Sequence, residues 1–275
     1  MKTNQIGNRW TLILLISGLI VSSCTQAKQQ DQHRDQRSKN TTSAVQPSMN
    51  SAVAIYAKPQ VPVLCFHRIE NNLKSEYNIT PATFESYLKI LSDSGYHAIS
   101  PDQLYHYLVY NAPLPPKPVM ITFDDSRAED ASIAAPLLDK YGFKGVFFIM
   151  TITYNKKNYM TTQQIAQLAK DGHTIGLHSW DHTMVTKYQS EADWEKQVIN
   201  PKKKLEEIIG KPVEYWAYPD GVFNHQSAEM LSHYFKLSFS LSTKRDSLLP
   251  LQTVRRMIVP EWTPRGMLKA MHRTF

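Results

Sequence analysis

From residue 61 onward the chain alternates short apolar, β-branched runs with longer amphipathic stretches, and no other feature constrains its fold as strongly. Strand-like runs fall near 61–66, 97–99, 119–123, 145–149, 174–178, 213–218, 236–241 and 256–259. Helix-like stretches lie between most of them, among them 81–94, 128–141, 161–171, 190–209 and 224–234. Strands that alternate with helices imply a parallel sheet. About eight such units with no second break in composition predict one α/β domain, a distorted (β/α) barrel of seven or eight parallel strands, with its active site at the C-terminal ends of the strands.

The segment ahead of that pattern has a different character. Lys2 and Arg9 precede an apolar run over residues 10–21, shorter than the ~20 residues needed to span a bilayer. The whole reads as a signal peptide over 1–23. The run ends in Val21-Ser22-Ser23-Cys24, which resembles a bacterial lipoprotein processing site. That resemblance implies acylation of Cys24 and an exported, cell-envelope lipoprotein that faces away from the cytoplasm and meets the membrane only through its lipid. Residues 24–60 are rich in Gln, Ser, Asn, Lys and Arg. With so little apolar surface to bury against the entropy of ordering, they read as a flexible tether to a domain over 61–275. Cys65, the other of two cysteines, has no partner left for a disulfide. It lies in Val61-Pro62-Val63-Leu64-Cys65-Phe66 and reads as a buried core thiol.

The net charge of +7 does not argue for nucleic acid. Residues 1–60 hold seven Lys/Arg against two Asp/Glu, while 61–275 hold 24 against 22, so the domain itself is nearly neutral. The sequence has no Gly-rich phosphate loop, CxxC pair or internal repeat, which removes support from nucleotide and thiol chemistry.

Two clusters carry the chemistry. The buried-strand run Val119-Met120-Ile121-Thr122-Phe123 delivers Asp124 and Asp125 at its C-terminal end, where a barrel enzyme keeps its catalytic groups. Adjacent side chains point different ways, so one carboxylate suits a cation and the other a proton; a helix N-cap is the plainer use of such a pair. A second run, Thr174-Ile175-Gly176-Leu177, is followed by His178-Ser179-Trp180-Asp181-His182. Two imidazoles four apart converge on one ion if the residues between them turn. HxxxH alone is weak in a chain of ten histidines. A carboxylate and two imidazoles at separate strand ends are harder to obtain from packing, and they leave coordination positions open to water, as a catalytic site requires.

With these motifs the chain resembles the polysaccharide deacetylases with a NodB-homology domain, carbohydrate esterase family four. Thr122-Phe123-Asp124-Asp125-Ser126 is similar to that family's TFDDG motif and His178-Ser179-Trp180-Asp181-His182 to its H(S/T)xxH motif. The resemblance implies that Asp124 is a general base and that Asp125, His178 and His182 hold a divalent metal, Zn or else Co or Ni. A third motif, of RxPYG type, is matched only in part by Ala217-Tyr218-Pro219-Asp220-Gly221. The backbone N–H of Asp220 is expected at the oxyanion, whereas Ala217 stands where the family often has the Arg that steers its base. Arg255 or Arg256 could supply that charge. Val63-Leu64-Cys65-Phe66-His67-Arg68 has a strand-then-His form and resembles the permuted layout of the poly-β-1,6-N-acetylglucosamine deacetylases of biofilms, which makes His67 the expected general acid ahead of His272. Trp180 is the aromatic expected to stack on a sugar.

The implied reaction removes N-acetyl groups from a polysaccharide containing N-acetylglucosamine, poly-N-acetylglucosamine or chitin-like, and releases acetate. The implied protein is a monomer. Two other readings stand beside it: an O-acetyl esterase acting on acetylated xylan or a similar glycan, and a glycan-binding lipoprotein without catalysis.

Overall fold

The computed structural model describes residues 48–275, apart from 73 and 74. The expected signal segment, Cys24 and the first part of the expected tether lie outside the described residues.

Among the described residues nine short strands build the sheet: β1 (Val63–Phe66), β2 (His97–Ala98), β3 (Pro118–Phe123), β4 (Val146–Ile149), β5 (Thr174–Leu177), β6 (Tyr215–Ala217), β7 (Leu237–Ser240), β8 (Val254–Arg255) and β9 (Met257–Ile258). Eight of them follow the order β8-β7-β6-β5-β4-β3-β1-β9, all pairs parallel, and β2 lies beside the start of β3. β8 and β9 are halves of one extended stretch. Val254 and Arg255 register with Phe239 and Ser240 of β7, and Met257 and Ile258 with Leu64 and Cys65 of β1. Arg256 sits at the handover, its N–H still donating to the Ser240 carbonyl at 2.9 Å. The two edges of the sheet therefore meet through this stretch, which makes the nearly closed, distorted barrel of eight parallel strands expected from the sequence.

Side chains alternate across the strands, and the two faces belong to separate cores. Val63, Met120, Val146, Phe148, Tyr215, Ala217, Leu237, Phe239 and Val254 pack together with Leu104, Leu108 and Val109. The last three belong to α3 (Pro101–Tyr110), which therefore plugs the N-terminal end of the barrel. Leu64, Phe66, Ile121, Phe123, Phe147, Ile149, Ile175, Leu177 and Trp216 face the other way and bury the apolar sides of the surrounding helices. Further toward the C-terminal end the inward alternation continues with Cys65, Thr122, Asp124, His178 and Arg256, all nearly or fully buried. The barrel interior is thus apolar at one end and polar at the other.

Two features depart from the sequence reading. Ser51 caps a helix, α1 (Ala52–Ala57), Ile55 on it is buried, and the Asn50 N–H donates to the Val109 carbonyl at 2.8 Å. Packed structure therefore extends ahead of residue 61, because a single well-placed apolar residue seats a short helix that composition alone passes over. The helix α3 is also not among the stretches read from the sequence, although Ser100 and Gln103 form a complete capping box at its start, with Pro101 at the first helical position.

Candidate active site

Asp124 and Asp125 leave β3 in different directions because the backbone changes hand between them. Asp125 and Ser126 adopt φ values of 72° and 60°, in the left-handed region that non-glycine residues occupy only when their surroundings hold them there. Asp124 stays inside the barrel, 1% exposed. Both its oxygens accept from Arg256, Nη1 to Oδ1 and Nη2 to Oδ2, each at 2.7 Å. Nη1 also reaches the Thr122 hydroxyl at 3.3 Å, and the Cys65 thiol donates to Asp124 Oδ2 at 3.6 Å. Burial alone would push the Asp124 carboxyl up, but Arg256 holds it well below the usual carboxylate range. Burial pushes the Cys65 thiol up, and Asp124 adds to this, so the sulfur stays protonated.

The second carboxylate lies beside the two imidazoles. Oδ1 of Asp125 is 3.6 Å from Nε2 of His178 and 3.6 Å from Nε2 of His182. His178 is buried, and its Nδ1 lies 2.8 Å from the Ala217 carbonyl. A carbonyl can only accept, so Nδ1 carries the proton and Nε2 turns a lone pair toward Asp125. Burial lowers the His178 imidazole more than Asp124 and Asp125 raise it, which keeps the ring neutral. His182 swings back through the left-handed residues Ser179 and His182 themselves, φ 67° and 69°, with the Ser179 hydroxyl accepting the His182 N–H at 2.8 Å. The separations of 3.6 Å are too long for hydrogen bonds. They match donors that share an ion: two ligands each about 2.1 Å from Zn²⁺ in tetrahedral geometry stand roughly 3.4 Å apart. Oδ1 of Asp125 is also buried without a hydrogen-bond partner among the described residues, as suits an oxygen that ligates a cation. Asp125, His178 and His182 therefore fit a divalent cation.

Asp124, Asp125, His178 and His182 border one cleft of about 510 Å³, together with His67, Arg68, Tyr77, Asn78 and Asp220. His67 follows β1, and a ring nitrogen lies within 4.8 Å of the Asp124 carboxylate and the Cys65 sulfur. Its Nδ1 is buried and without a partner among the described residues, and its ring lies against Tyr77 with centroids 5.1 Å apart. Asp220, φ 56°, sits at the rim with Oδ1 3.9 Å from His182 Nδ1. Of the two arginines weighed to stand in for Ala217, the structure brings Arg256 to Asp124, whereas Arg255 lies over the Phe275 ring at 5.7 Å. His272 is on the last helix, Pro264–Thr274, 2.5 Å from the Tyr96 hydroxyl and outside the cleft.

Trp180 does not border this cleft. Trp180 borders a separate groove with Tyr154, Asn200 and Lys204, and Lys196 covers its ring at 4.5 Å from the centroid. The turn that brings His182 back toward His178 carries the residue between them outward. Cys65, read as ordinary core, lies directly beneath the cleft, and its signal was the alternation that puts residues 65 and 67 on one side of β1. Tyr77 and Asn78 enter on a two-strand ribbon, Arg68–Ile69 with Asn78–Ile79, too short to announce itself in sequence.

The family model "Polysaccharide deacetylase" matches residues 111–234. The chain is 25% identical over 225 residues to YxkH of Bacillus subtilis (strain 168), which bears the same family description, covering 79% of this chain and 80% of that one. It is 25% identical over 182 residues to the poly-beta-1,6-N-acetyl-D-glucosamine N-deacetylase of Staphylococcus aureus (strain MSSA476), covering 61% and 62%. Its fold is similar to the Streptococcus pyogenes deacetylase PplD in complex with acetate, with a TM-score of 0.71 and 21% identity over 78% of this chain and 98% of that one.

Proposed function

The chain belongs to the polysaccharide deacetylase family, with its NodB-homology domain, and on that premise we propose a metal-dependent hydrolase that removes N-acetyl groups from a polysaccharide containing N-acetylglucosamine. The observation that carries this reading is the convergence, in one cleft, of a cation-ready trio, an ionised buried carboxylate and a free imidazole. Asp125, His178 and His182 would hold a divalent cation, which when bound would supply a Lewis acid to acidify water and polarise a carbonyl. Asp124, ionised and fixed by Arg256, accepts a proton as water oxygen adds to the acetyl carbon. The Asp220 N–H donates to the carbonyl oxygen as charge gathers on it. His67 gives a proton to the glycan nitrogen, without which the C–N bond would have to expel an amide anion. Acetate and a free amino sugar result.

The test is acetate release from N- and O-acetylated oligosaccharides with chelator, then with Zn²⁺, Co²⁺ or Ni²⁺ restored. Loss with chelator and recovery with metal on the N-acetylated substrate is expected; undiminished release in the metal-free protein overturns the reading.

Export and anchoring through Cys24 belong to the same proposal and rest on the run that ends in Val21-Ser22-Ser23-Cys24. Cys24→Ala is expected to abolish acyl labelling and free the protein from membranes in a bacterial host. Wild-type protein that stays unlabelled and soluble there contradicts it.

A further inference from the structure

A second gathering of charge lies at the end of the barrel that α3 plugs. Arg245 and Arg255 border a narrow cavity there, between Pro59 and Gln60, which lead into β1, and Leu104 and Leu108 of α3. None of these residues borders the catalytic cleft. The Nε atoms of both arginines are buried without a hydrogen-bond partner among the described residues. Arg245 gives Nη1 to the Tyr56 carbonyl at 3.3 Å and lies 5.0 Å from the centre of the Tyr56 ring, while Arg255 lies over the Phe275 ring. Burial lowers the Arg245 guanidinium and Arg255 lowers it further, opposed only by the Tyr56 phenol.

The surroundings do not neutralise this charge. Residues 48–62 hold no Asp or Glu, and residues 241–255 hold only Asp246. Asp246 is already engaged, with Oδ2 2.6 Å from His225 Nδ1 and Oδ1 accepting the Leu248 N–H at 2.8 Å. Asp102, the acid of α3, stands beside His106 and Lys236 at 3.4 and 3.8 Å. Lys58 and Lys244 add two cations to the same segments. Like the two arginines, they join no ion pair among the described residues.

Apolar side chains stand exposed around these cations. The helix α1 buries Ile55 and leaves Val53 and Tyr56 77% and 43% exposed, with Met49 at 62% just ahead of it. It packs beside Pro250–Gln252, and Leu248, two residues before that turn, is 69% exposed. One such side chain is ordinary on a surface, whereas several gathered around unneutralised cations match the boundary between an anionic and an apolar layer. A phospholipid surface offers both, phosphates for the guanidiniums and the acyl boundary for the apolar tips. A soluble polyanion would satisfy the cations alone and leave the apolar tips in water.

We propose that this face docks on an anionic phospholipid surface, so that the domain meets the membrane directly and turns its cleft away from it. The contact is independent of acylation at Cys24, and the deacetylase reading does not depend on it.

The experiment uses the chain from residue 25 onward, which carries no acyl group and holds every described residue, sedimented with vesicles of phosphatidylcholine alone or of phosphatidylcholine mixed with phosphatidylglycerol. Binding about tenfold or more tighter to the mixed vesicles is expected, and salt should weaken it. Arg245→Gln/Arg255→Gln should remove most of that preference. Val53→Ser/Leu248→Ser, at the two most exposed apolar side chains of the set, should weaken binding to the mixed vesicles by about tenfold. Every variant keeps residues 25–47, so any pull from the Lys and Arg of that segment is common to all. Urea unfolding checks the fold, and Lys58→Gln/Lys244→Gln replaces the arginine pair if that variant does not fold. Equal binding to both vesicles, no binding to either, or binding that either pair of substitutions leaves unchanged overturns the proposal. A dimer that forms through the same side chains in place of vesicle binding also overturns it and gives the face to a second copy of the chain.

Discussion

Asp124 is a carboxylate 1% exposed whose charge is matched by one guanidinium, so Arg256 serves both stability and chemistry. Removing one partner of such a pair leaves an uncompensated buried charge and costs about 3–5 kcal/mol. Arg256→Ala should cost that much at pH 8, measured by urea unfolding. The pH dependence follows from the low Asp124 pKa in the fold. Because the folded value lies below the unfolded one of about 3.9, the pair contributes its stability above that pH and loses it on further acidification. In Arg256→Ala the orphaned carboxyl protonates more readily, so the gap from wild type should be smaller at pH 5 than at pH 8. A gap that does not change, or that stays under about 1 kcal/mol, contradicts the assignment.

His67 makes a different prediction, because it lies in the cleft without holding the trio together. His67→Ala should leave bound metal unchanged and reduce amide hydrolysis by about 10²- to 10⁴-fold, with a smaller loss on an acetyl ester, whose alkoxide leaves more easily. Equal losses on the two substrates would remove His67 from the acid role.

The elements deliver these residues through tight backbone approaches. Gly176 lies two positions before His178 on β5, and a Cβ built there would stand 2.5 Å from the Phe148 ring and 3.0 Å from the Tyr215 carbonyl. Gly176→Ala should therefore destabilise the domain by about 1–3 kcal/mol through overpacking and reduce metal affinity as β5 shifts, measured by urea unfolding and metal titration. An unchanged fold and affinity would show that β5 has slack. Most of the strands were legible because they are short apolar runs with both faces buried, and Asp124, Asp125, His178 and His182 were legible because they follow such runs directly or within a few residues. The Asp124–Arg256 contact was only half legible. Arg255 and Arg256 are neighbours on one extended stretch, and which of them points inward depends on a handover between β7 and β1 that no local pattern records. The short helix α1 and the Arg68–Ile69 ribbon have too few residues to show a period, and the outward placement of Trp180 follows from left-handed turns at residues that are not glycine.

Across the whole molecule, the barrel separates its tasks by height. Apolar side chains and the α3 plug fill the N-terminal end, which leaves the polar C-terminal end free to hold charges that would be costly in a uniform core. Catalysis, in this account, depends on a cation at one end of that gradient. The most direct measurement is a titration of metal-free protein with Zn²⁺, following bound metal and acetate release together. Activity should rise in proportion to bound metal and saturate at one ion per chain, and Asp125→Ala, His178→Ala and His182→Ala should each lose binding and turnover in parallel. Full turnover without metal, or ligand variants that keep wild-type binding and activity, would contradict the account.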